Sequence, residues 1–64
     1  MKTKELKNIA KKIAKYELII QNSDDKKAVA DAEYQIMVLS GSVDKIEDIV
    51  AIDEFVQDYL EKIS

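Results

Sequence analysis

Apolar residues recur along the chain at alternating intervals of three and four, in three tracts. The densest runs from Lys45 to Ile63. At about 100° per residue, Ile49, Ile52, Val56, Tyr59, Leu60 and Ile63 fall on one side of a helix. Ile46 and Val50 extend that arc on one flank and Phe55 on the other. Nine large apolar groups in nineteen residues make a face wider than the ~100° stripe of an ordinary surface helix. Such breadth predicts packing against two neighbours.

The first tract predicts a helix over 3–21. Leu6, Ile9, Ile13, Tyr16 and Ile20 follow the spacing of a heptad seam. Ala10 and Ala14 border it and let a neighbour approach closely, while Lys4, Lys7, Lys11 and Lys15 lie on the opposite side. Thr3 is the expected N-cap, although Leu6 stands where a capping box places Glu or Gln.

The middle tract predicts a helix over 24–40, with a seam of Val29, Ala32, Ile36 and Leu39 and with Ala28 beside it. It carries something more. Ala30, Tyr34, Met37 and Val38 form another apolar stripe, roughly 120–180° around the helix from the first. One small core does not explain a helix apolar on two sides. The stripe is either a surface for self-association or a partner, or it lies under a neighbour in a wider core. Tyr and Met are enriched at interfaces, which suits the first reading.

Turn residues separate the tracts. Asn22 or Ser23 is placed to close the first helix, and Ser23 or Asp24 to cap the second. Gly41 reads as a left-handed stop to the second helix, with Val43 folding back as its apolar contact. Ser42 or Asp44 is the expected cap of the third helix, and Asp44 with Glu47 has capping-box spacing. The fold class is therefore all-α: one domain over 1–64, a three-helix up-down-up bundle with helices at about 3–21, 24–40 and 44–63. The alternative is a helical hairpin whose third helix packs in a homodimer.

Composition supports helices and removes much chemistry. There is no Pro and one Gly, while Ala, Leu, Lys and Glu are plentiful. A chain of 64 residues buries only ~60% of the surface its unfolded form exposes, so oligomerisation or very regular helix packing has to stabilise it. Disulfides are excluded because there is no Cys, and zinc has neither His nor Cys to hold it. No cofactor and no metal is expected. Lack of His and Cys also removes the usual general base and the best nucleophile, so no catalytic residue is assigned and an enzyme is not expected. Asp24 with Asp25, and Asp44 with Glu47 and Asp48, read as capping residues and solvated surface, with no EF-hand spacing. No run approaches the ~7–15 apolar residues of a signal h-region or the ~20 of a span. No membrane partner is expected, and the default compartment is cytoplasmic.

Charge is divided unevenly. Residues 1–16 carry six lysines and one glutamate, a balance of +5, whereas residues 17–64 carry four lysines and twelve acids, a balance of −8. Like charges recur four residues apart at Lys7, Lys11 and Lys15, each pair costing about 0.2–0.5 kcal/mol. The plain reading is that basic and acidic flanks lie side by side and set the topology. The acids of the third helix, Asp44, Asp48, Glu54, Asp58 and Glu61, also suit a basic partner.

Together these features predict a small non-enzymatic helical interaction module or regulator, a homo-oligomer or the companion of another protein. Its candidate interface is Ala30, Tyr34, Met37 and Val38. The alternative is nucleic-acid binding by the basic face of Lys4, Lys7, Lys11 and Lys15. Against it stand the absence of Arg and an acidic remainder that repels phosphate.

Overall fold

A computed structural model describes residues 2–63, which form three helices: α1 (Thr3–Asn22), α2 (Lys26–Gly41) and α3 (Ile46–Ile63). No strand occurs among the described residues. The chain is an all-α three-helix bundle, and α3 packs on α1 of its own chain.

Short polar contacts set the ends of the helices. Thr3 is already helical and Lys2 occupies the N-cap position without a side-chain cap, so the expected Thr3 cap is not formed. At the other end the Asn22 side-chain amide donates to the Leu18 carbonyl at 3.0 Å, and the Ser23 N–H donates to the Ile19 carbonyl at 2.9 Å. The cap of α2 is Asp25, later than the expected Ser23 or Asp24, and its carboxylate accepts from the Lys27 N–H at 3.0 Å. The Ser23 hydroxyl supports it by accepting from the Asp25 N–H at 3.2 Å.

The end of α2 departs from the sequence expectation. Gly41 is helical, and no described residue has a positive φ. Ser42 does the work instead: its hydroxyl donates to the Leu39 carbonyl at 2.6 Å. The Ser42 and Val43 N–H groups donate to the Leu39 and Ser40 carbonyls at 3.3 and 3.2 Å. These i→i−3 bonds tighten the last turn and satisfy its carbonyls without a left-handed residue. Val43 is buried, as expected of the residue that folds back. Because Ser42 is committed to α2, it does not cap α3. That helix opens at Ile46, later than expected, with the Lys45 carbonyl accepting from the Asp48 and Ile49 N–H groups at 3.1 Å each.

Packing corrects a larger expectation. The helix with two neighbours is α1, which packs against both α2 and α3, while α2 and α3 scarcely touch. The buried residues of α1 are Leu6, Ala10, Ile13 and Ala14, with Ala10 at 0% exposure. Two alanines one turn apart let flanking helices come close without large side chains in the way. From α3 only Ile52 and Val56 are buried, with Phe55, Tyr59 and Leu60 half-buried beside them. Its broad apolar face exceeds what α1 covers, so Ile46, Ile49, Val50 and Ile63 stay exposed.

Candidate functional site

Two consequences of this packing bear on function: apolar side chains left open, and lysines drawn together. On α2, Ala32 is buried and Ile36 and Leu39 are packed against the core. By helical periodicity Ala30, Tyr34, Met37 and Val38 lie on the far side from that contact. All four are exposed, Tyr34 at 57% and Met37 at 63%. The structure thus keeps the four candidate interface residues together on one outer face and does not fold them into the core.

A second apolar surface escaped the sequence reading. Periodicity puts Ile46, Ile49 and Val50 on the broad apolar face of the third helix, yet all three are exposed, Ile46 at 78%. Between α2 and α3 lies a groove of about 380 Å³ floored by Ile13 of α1, with Ile36 on one side and Ile49 and Ile52 on the other. It exists because the two outer helices do not close on each other. Hydrophobic periodicity alone marks which residues share a face; it does not show whether a neighbour covers that face.

The four candidate basic residues do not act as one stripe. Lys4, Lys7, Lys11 and Lys15 are all exposed. Lys7 sets its ammonium 5.5 Å from the centroid of the Phe55 ring of α3, a cation–π contact worth about 0.5–1 kcal/mol at an exposed site. Lys11 and Lys15 line a groove of about 650 Å³ between α1 and α3, where Lys12 and Lys62 join them. Lys62 was invisible as a member of this group from the sequence, since only the fold carries the last turn of α3 to the side of α1.

Among the described residues no cluster of three or more His, Cys, Asp or Glu side chains is arranged to hold a metal ion. No described helix is long and apolar enough to cross a membrane. No protein-family model matches the chain, and neither a curated protein nor a solved structure is significantly similar to it.

Proposed function

We propose that this chain is a non-enzymatic protein–protein interaction module that self-associates through the outer face of α2. Tyr34 and Met37 are its central contacts, and Ala30 and Val38 are its border. The observation that carries the reading is the exposure of this stripe on the face of α2 remote from α1. A total of 4916 Å² of accessible surface points the same way, since a compact monomer of 7.3 kDa is expected to expose about 4,200 Å². Tyr and Met suit such a contact because both combine large apolar area with tolerance of a wet edge or an uneven partner.

Nucleic-acid binding by the α1 lysines has weaker support. Lys7 is engaged with Phe55, and Lys11 and Lys15 border an apolar groove. Sedimentation equilibrium over a wide concentration range tests the main reading. The wild type should approach twice the monomer mass of 7.3 kDa, and Tyr34→Glu with Met37→Lys should remain monomeric with its helical circular dichroism intact. A wild type that is monomeric at every concentration ends the self-association reading, as does a double variant that still dimerises.

A further inference from the structure

The groove between α1 and α3 combines an apolar lining with a rim of cations. Its apolar lining comes from Ala14, Leu18, Tyr59 and Ile63, and its cations are Lys11, Lys12, Lys15 and Lys62. None of the described lining residues is acidic, although the chain as a whole carries −3. Lys62 has a plain structural reason to be there, since a cation in the last turn of α3 complements the helix dipole. Beside it on α1, Lys11, Lys12 and Lys15 are all exposed. Lys11 and Lys15 repel each other across one turn, and the fold adds Lys62 to that repulsion in place of one of the acids abundant on α3.

We infer that this groove binds a single-chain amphipathic anion, an alkyl carboxylate of the fatty-acid class. Its volume of about 650 Å³ falls in the range of ~300–1,000 Å³ typical of small-molecule sites. Leu18, Tyr59 and Ile63 offer a surface for a hydrocarbon chain, which leaves water as it binds. The lysine stems extend that apolar surface while their ammonium groups stay in water at the rim. There a carboxylate accepts charge-assisted hydrogen bonds and relieves the mutual repulsion of the lysines. Both halves of the ligand are needed: the lysines alone suit any anion, and the apolar lining alone suits any hydrocarbon. Nucleic acid would use the charge but leave the apolar lining unfilled.

The test is a ¹H–¹⁵N correlation titration of the intact chain with sodium dodecanoate below its micelle concentration. Acetate, dodecyltrimethylammonium and a short oligothymidylate serve as comparators. Saturable one-to-one binding is expected, with shifts centred on Leu18, Tyr59 and Ile63 and none at Tyr34 or Met37. Acetate, which lacks the hydrocarbon chain, and the cationic amphiphile, which lacks the carboxylate, should each bind roughly ten-fold more weakly or not at all. The variant Lys11→Gln, Lys15→Gln, Lys62→Gln changes only exposed side chains, keeps its circular dichroism, and should lose about ten-fold in dodecanoate affinity. Equal binding of the cationic amphiphile, equal competition by the oligonucleotide, or an unchanged affinity in the lysine variant would each overturn the inference. So would shifts of the groove amides on raising protein concentration without ligand, which would make a second copy the occupant. Because the groove and the α2 stripe lie on different helices, the outcome is independent of the self-association proposed above.

Discussion

Replacing Gly41 by alanine discriminates between two accounts of how α2 ends. If Gly41 were a left-handed stop, a Cβ would cost about 1–2 kcal/mol in that conformation. In the structure Gly41 is helical, is exposed, and would meet no heavy atom within 4 Å of an added Cβ. The substitution then removes only the backbone freedom of glycine. A full helix-interior exchange is worth about 0.8–1.0 kcal/mol. Gly41 is the last residue of the helix, so a stabilisation of about 0.4–0.8 kcal/mol is expected, at the lower end of that seen at compatible sites. For a domain of this size, 1 kcal/mol moves Tm by about 4–8 °C, which predicts a rise of roughly 2–6 °C. Thermal melts at 222 nm, at a fixed concentration low enough to keep the chain monomeric, would measure it, and urea titration would check that the slope m is unchanged. A fall in Tm would refute the helical assignment of Gly41 and restore the left-handed stop.

Two further substitutions probe other parts of the fold. Asp25→Ala removes the carboxylate that accepts from Lys27 and should destabilise by about 1 kcal/mol, whereas Asp25→Asn should cost a few tenths, both measured by urea denaturation. Ile52→Ala opens a cavity against α1 and should cost about 2–5 kcal/mol, enough to unfold much of the population by circular dichroism. Its counterpart Ile46→Ala, at an exposed position, should change monomer stability by no more than about 0.5 kcal/mol. If the two behave alike, the division of α3 into a covered and an open apolar side is wrong.

These contrasts show what the sequence carried and what it did not. Alternating three- and four-residue spacing located all three helices, because the same periodicity that buries Leu6, Ile13, Ile52 and Val56 also writes them into one face. It misjudged the central element. The count of large apolar residues favoured α3, but a helix with two neighbours is marked by small residues, and Ala10 and Ala14 were that mark. Capping was legible only in part. Asn22, Ser23 and the aspartates beside them were placed near their roles, while Ser42 was assigned to the wrong helix because its hydroxyl faces a choice between two helix ends. The α2 stripe was legible because an apolar pattern on both sides of one helix breaks the rule for a single core. The lysine groove was not, since Lys62 and Lys11 meet only through the packing of α3 on α1.

The attachment of α2 has a consequence for how the domain opens. It touches α1 and hardly touches α3, and among its residues only Ala32 is buried. Ile36 and Leu39 pack partly buried beside it, whereas α3 brings the buried Ile52 and Val56 to α1. Local opening follows buried apolar contact and spans the range from almost zero to global unfolding. The second helix is tethered by the short segments 23–25 and 42–45, and its amides are expected to exchange with solvent sooner than those of α1 and α3, which hydrogen-exchange rates would check. A partner bound to its outer face would do more than cover Tyr34 and Met37. By mass action it would set how much of the time α2 stays docked on α1.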